Sequence, residues 1–181
     1  EEMYQTYRSY YGPQVGPDTP VKLIHFSFRA GERPVEEVPT TSSATDVKLF
    51  TDGGSRGNPG PSASGYVLMD MQDNIIQKSG LYLGITTNNQ AEYQALKFGL
   101  EAAQKLGAQQ VAVHMDSMLV VNQMKGLFKV KNRDLWPIHE SIQQLASQFK
   151  KVTYTHVPRE LNKLADAEVN TTLDAEAGNQ Q

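Results

Sequence analysis

The chain has 181 residues, of which 39% are hydrophobic and 20% charged, enough apolar material for one domain core and too much for wholesale disorder. It contains no cysteine, which excludes disulfide scaffolds, thiolate zinc sites, iron–sulfur clusters and cysteine nucleophiles. The formal net charge of −3 lies entirely in residues 1–46, with four Lys/Arg against seven Asp/Glu; residues 47–181 carry thirteen of each, so there is no polybasic signature.

Residues 1–46 hold five of the nine prolines and read as an extension of unknown role. Within it Val21–Phe28 ("VKLIHFSF") has the composition of a short strand, and the stretch 32–46 ("ERPVEEVPTTSSATD") reads as a Pro/Ser/Thr-rich linker. No apolar run is long enough to span a membrane and no signal sequence opens the chain, so an intracellular, cytoplasmic setting is expected. The first residue is Glu rather than Met, which fits an excerpt of a longer protein.

From residue 47 the pattern becomes regular. Val47–Thr51 reads as a strand, "DGGSRGNPG" (52–60) as a Gly/Pro loop, and Gly65–Met71 and Ile75–Leu83 as two strands around a polar turn at 72–74. A helix follows, N-capped by Thr87 or Asn88, apolar at 95, 96, 99, 100, 103 and 106, and stopped by Gly107. Val111–Met115 reads as a strand, Ser117–Met124 and Asp134–Phe149 as helices, Lys151–Val157 as the fifth strand, and Asn162–Leu173 as the closing helix. A catalytic domain over 47–173 with a flexible tail at 174–181 is expected. The order β-β-β-α-β-α-α-β-α predicts an α/β fold, a five-stranded mixed sheet with helices on its faces.

Four carboxylates stand where a solvated charge is not expected. Asp52 and Asp116 end strands, Glu92 lies on the apolar stripe of its helix, and Asp166 shares a face with Val169 and Leu173. Singly, each has an ordinary reading as a turn, a cap or a dipole partner. Jointly, four acids from four separate elements repel one another unless they surround a cation, and oxygen-only ligation points to Mg²⁺ or Mn²⁺.

The blocks "TDGGSRGNPGPSASG" (51–65), "TTNNQAEYQAL" (86–96), "MDSMLVVNQM" (115–124) and "HVPRELNKLAD" (156–166) resemble, in order, the four motifs of type 1 ribonuclease H. The likeness covers about residues 47–170, is nearest the compact bacterial and archaeal branch, and extends to retroelement domains. It implies a ribonuclease H-like fold and hydrolysis of the RNA strand of RNA–DNA hybrids to 5′-phosphate and 3′-hydroxyl ends. It further implies two Mg²⁺ ions, with Mn²⁺ as a substitute, on Asp52, Glu92, Asp116 and Asp166, and no organic cofactor. Gly57, Asn58 and Pro59 fall in the loop that lets the RNA strand approach, and Asn88 and Asn89 match minor-groove readers whose amides suit a 2′-hydroxyl. His156 matches a loop His that assists proton transfer in some relatives, whereas a His at the end of a strand is more often a structural residue; Arg159 is a candidate substrate contact. Two features depart from the family pattern: the basic protrusion is shortened to "KGLFKVKNRDLW" (125–136), where Phe128 and Trp136 read equally as core anchors or substrate contacts, and Met118 stands where a polar residue is common. A DNA-acting, integrase-like nuclease and a retroelement domain are the alternative readings, and the partner of residues 1–46 is left open.

Overall fold

The computed structural model describes residues 31, 36–37 and 45–179. The possible strand at Val21–Phe28 lies outside the described residues. The strands are β1 (Glu36–Glu37), β2 (Asp46–Ser55), β3 (Gly60–Met69), β4 (Ile75–Thr86), β5 (Gln110–Met115) and β6 (Lys151–His156). The helices are α1 (Asn88–Leu106), α2 (Met118–Met124), α3 (Trp136–Ala146) and α4 (Lys163–Asn179). They form one mixed sheet in the order β1-β4-β3-β2-β5-β6, antiparallel from β1 to β2 and parallel from β2 to β6. The five expected strands are all present. The added sixth, β1, falls in the stretch read as a linker: Glu36 and Glu37 pair with Lys78 and Gln77, and the Tyr82 amide donates to the Gly31 carbonyl at 3.0 Å. This segment therefore covers the β4 edge, which would otherwise present unpaired backbone groups.

One face of the sheet packs against α1 to α3. Val47, Leu49, Tyr66, Leu68, Val111 and Val113 from the strands meet Tyr93, Leu96, Leu100, Val120 and Ile142 from the helices in a continuous buried core. The other face carries α4, whose Ala165, Val169 and Leu173 cover Ala63 and Val67. The α1 helix begins at Thr87, whose hydroxyl accepts from Gln90 N at 3.2 Å, and ends at Gly107 in the left-handed conformation, matching the sequence signals.

Several boundaries differ from the sequence reading. The strands β2 and β3 run into the stretch read as a loop: Gly53, Gly54 and Ser55 pair with Ser64, Ala63 and Ser62, leaving 56–59 as the turn. Small residues there signalled a loop, yet they serve to let helices press on the sheet. A 3₁₀ turn at Arg133–Leu135, capped by Asn132, takes the place of the expected first helical turn, and α3 starts at Trp136 with Pro137 in its first turn. The expected flexible tail at 174–181 is helical as far as Asn179; Asp174, Ala175, Glu176 and Ala177 include strong helix formers, and Asp174 is tied to Arg56. Phe128 and Trp136 are about half exposed, so neither is a core anchor; the Trp136 indole donates to Val130 O at 2.7 Å, with Arg133 over its ring.

Candidate active site

The parallel pairing of β2, β5 and β6 brings their carboxyl ends to one edge, where crevices open in α/β sheets. Thr51 is in register with Met115, so Asp52 and Asp116, one residue further on, stand side by side on strands spaced ~4.8 Å apart. Glu92 reaches the same place because β2 and α1 touch backbone to backbone: a Cβ on Gly53 would stand 2.2 Å from the Ala91 carbonyl carbon and 2.4 Å from Glu92 N. The Ser64 hydroxyl fixes this contact by donating to Ala91 O at 2.7 Å. Asp166 arrives from the first turn of α4, its amide bonded to Asn162 O at 3.1 Å. Asn162 is fully buried and its side-chain amide donates to Thr51 O at 2.9 Å, linking the residue before Asp52 to the start of the helix that carries Asp166.

The four predicted carboxylates thus line one pocket, with Arg56 and Arg159 in its wall. Burial pushes the Asp52 carboxyl up to about 8, and repulsion by Asp116, Asp166 and Glu92 adds to this; in its protonated form Asp52 hydrogen-bonds Asp166. Burial likewise pushes Glu92 up to about 7, against a hydrogen bond from Ser117 and the nearby Arg159 charge, which favour its ionised form. Among the described residues no three His, Asp or Glu side chains are drawn together as a finished metal cage. The donor chemistry nevertheless fits a hard divalent cation: four carboxylates, no nitrogen or sulfur ligand, and a mutual repulsion that a cation would relieve.

A second pocket adjoins the first and shares Asn88 and Glu92 with it; Asn58, Thr87, Asn89, Ser117 and Asn132 complete its polar lining. The amides are pre-set: Asn88 Oδ1 accepts from Ser55 N at 2.8 Å, and Asn58 Oδ1 accepts from Asn88 N at 3.2 Å. Gly57 is exposed in the turn and lines neither pocket. Arg159 is in the acid pocket, whereas His156, exposed at the end of β6, lines neither. Arg159→Ala is therefore expected to lower activity about tenfold or more with little change in thermal stability, and His156→Ala to cost less activity than Arg159→Ala. Steady-state rates and melting curves of the two variants decide this; a larger activity loss at His156 would restore a role for that ring in proton transfer.

Sequence reasoning missed Arg56, Gly53, Ser117, Asn132 and Asn162. Ser117 carried a signal, standing between Asp116 and a helix whose Val120 amide it caps at 3.3 Å. Asn132 carried one too, as the local cap of the turn that follows it, where its Oδ1 accepts from Asp134 N at 3.0 Å. Arg56, Gly53 and Asn162 meet partners remote in the chain, and no local pattern marks them.

The family model described as Reverse transcriptase-like matches residues 50–172. The chain belongs to this family, and within it to the ribonuclease H proteins. It is 41% identical over 128 residues to ribonuclease HI of Halobacterium salinarum, across 71% of this chain and 64% of that protein. The solved structure of LC11-RNase H1 in complex with an RNA/DNA hybrid is 40% identical with a TM-score of 0.70, covering 72% of this chain and 99% of that one. The bifunctional protein Rv2228c of Mycobacterium tuberculosis is 47% identical over 132 residues, 72% of this chain but 36% of the relative. The chain thus spans about a third of the length of that mycobacterial protein.

Proposed function

We propose that this protein is an endoribonuclease that hydrolyses the RNA strand of RNA–DNA hybrids, leaving 5′-phosphate and 3′-hydroxyl ends. The observation that carries the reading is the convergence of Asp52, Glu92, Asp116 and Asp166, from four separate elements, on one pocket. Those four acids would hold two divalent cations, Mg²⁺ with Mn²⁺ as a substitute, which when bound supply an activated water and charge stabilisation at the leaving oxygen. The protein's own contributions are positional. The carboxylates would hold the cations at the ends of β2 and β5, where the reacting phosphate would meet them, Arg159 offsets negative charge near Glu92, and the Asn58, Asn88 and Asn89 amides read sugar edges in the adjoining pocket. A relative 40% identical to this chain has been solved with an RNA/DNA hybrid, which supports the substrate class.

Residues 1–46, with their net charge of −3, are proposed to add no metal ligand and little hybrid affinity, because phosphate neutralisation dominates such binding. No described helix is long and apolar enough to cross a membrane.

The test is a labelled DNA strand carrying about four consecutive ribonucleotides, annealed to DNA and compared with duplex DNA and single-stranded RNA, with Mg²⁺ and with EDTA. Cleavage is expected only within the ribose stretch and only with the metal. Comparable cutting of plain duplex DNA would move the protein to the integrase-like class.

A further inference from the structure

The acid pocket has two cationic residues in its wall, Arg56 and Arg159. Arg159 acts on Glu92, whose ionised form it favours. Arg56 is held differently: its Nη2 lies 2.6 Å from Asp174 Oδ1, on the last helix and 118 positions away in sequence. Asp166, Asn170 and Asp174 recur every four residues, so they form one stripe along α4. At a rise of 1.5 Å per residue, Asp174 is about 12 Å along the helix axis from Asp166. That is the rise of roughly three or four nucleotides of a strand at ~3.4 Å each.

The root of Arg56 is rigid. Its amide donates to Pro61 O at 2.8 Å, and a Cβ on Gly60 would stand 2.2 Å from its carbonyl oxygen, a contact that glycine alone permits. The Ser55 hydroxyl bonds the Gly57 and Thr86 carbonyls, and Asn58 ties the same turn to the start of α1. The tip of the side chain is open, with Arg56 43% and Asp174 69% exposed. A pair so exposed contributes little to stability, and one carboxylate occupies only part of a five-donor fork. What the pairing does is orient a guanidinium at the wall of the pocket with donors to spare for an anion.

Resting on the hybrid-nuclease reading above, we infer that Arg56 is a substrate-binding residue that grips a backbone phosphate a few nucleotides from the cut, and that Asp174 is the positioning residue holding its guanidinium ready. Cleavage kinetics, and hybrid binding by fluorescence anisotropy with Ca²⁺ in place of Mg²⁺, are measured for Arg56→Ala, Asp174→Asn and the double variant. Lys150→Ala is the charge control, since Lys150 precedes β6 at the opposite end of the sheet from the acids. Arg56→Ala is expected to raise KM and Kd about tenfold with kcat within about twofold, and to flatten the slope of log Kd against log salt by about one. Asp174→Asn is expected to raise KM about threefold with the salt slope unchanged, and to add nothing in the Arg56→Ala background. A neutral methylphosphonate walked along each strand should erase the difference between parent and Arg56→Ala at one position. If Arg56→Ala matches Lys150→Ala in slope and affinity, or no methylphosphonate position erases the difference, the phosphate contact is wrong. If the Asp174→Asn effect persists without Arg56, the positioning role is wrong. A parent protein that cuts no hybrid refutes the function proposed above, whereas a parent that cuts hybrid and ignores Arg56 refutes only this inference.

Discussion

Asn in place of Asp116 or Asp52 is expected to cut hybrid cleavage by at least ~10²–10³-fold, the scale seen when one electrostatic stabiliser of a transition state is removed. Either change keeps the side-chain volume and removes a charge, so folding survives. At Asp52 stability is expected to rise. In the folded protein its carboxyl is pushed up from 3.8 to about 8, so the fold binds a proton there more tightly than the unfolded chain does. The stability tied to that proton is fully present below pH 3.8 and is lost as pH rises toward about 8. Glu92, pushed from 4.5 to about 7, acts in the same direction. In EDTA, Asp52→Asn should therefore melt close to the parent at pH 4 and about 3–6 °C above it at pH 8. Added Mg²⁺ should narrow that gap, because the cation neutralises the repulsion in the parent and finds fewer ligands in the variant. Melting curves at the two pH values, with and without Mg²⁺, together with single-turnover cleavage, check every part. Near-normal cleavage by either variant with Mg²⁺ present would remove these acids from the chemistry. A variant less stable than its parent at pH 8 would show that Asp52 is held by favourable contacts.

The four acid-bearing blocks were legible because each joins a chemical oddity to a local pattern: Asp52 and Asp116 each follow an apolar strand segment, although β2 itself runs on past Asp52 to Ser55, Glu92 interrupts an apolar helical stripe, and Asp166 shares a helix face with Val169 and Leu173. The helix limits at Thr87 and Gly107 were legible for the same reason, as capping is local. What escaped was set by contacts between distant segments. Residues 53–55 and 60–64 look like loop because they are Gly, Ser, Pro and Ala, yet they extend β2 and β3 and lie under α1 and α4. The pairing of Glu36–Glu37 with β4 is fixed by the open edge of a sheet that the local sequence does not contain. Arg56 sits inside a recognised motif, but its partner Asp174 lies in a stretch read as tail, so the pair could not be seen from either end.

Gly53 leads to an outcome opposite to that of its neighbour. It follows Asp52 directly, yet Gly53→Ala is expected to lower both stability and activity. Its Cβ would meet backbone, at 2.2 Å from the Ala91 carbonyl carbon and 2.3 Å from its oxygen, and backbone cannot rotate away as a flexible side chain does. Either β2 or the first turns of α1 must shift. Overpacking of this kind costs ~1–3 kcal/mol, which for a chain of this size lowers Tm by very roughly 2–12 °C. The shift also separates Asp52 from Glu92, the two acids whose carriers meet at this contact, and a displacement of ~1 Å at a reacting centre is worth ~10²-fold in rate. Ser64 provides the internal check, because its hydroxyl donates to the same Ala91 carbonyl at 2.7 Å. Ser64→Ala removes that bond without adding an atom, so it should lower Tm by a smaller amount and leave most of the activity. Thermal melts and cleavage rates of the two variants separate a steric requirement at Gly53 from a general sensitivity of this strand. A Gly53→Ala protein with parental Tm and parental rate would mean that β2 and α1 are not in backbone contact, and that Glu92 reaches the pocket by another route.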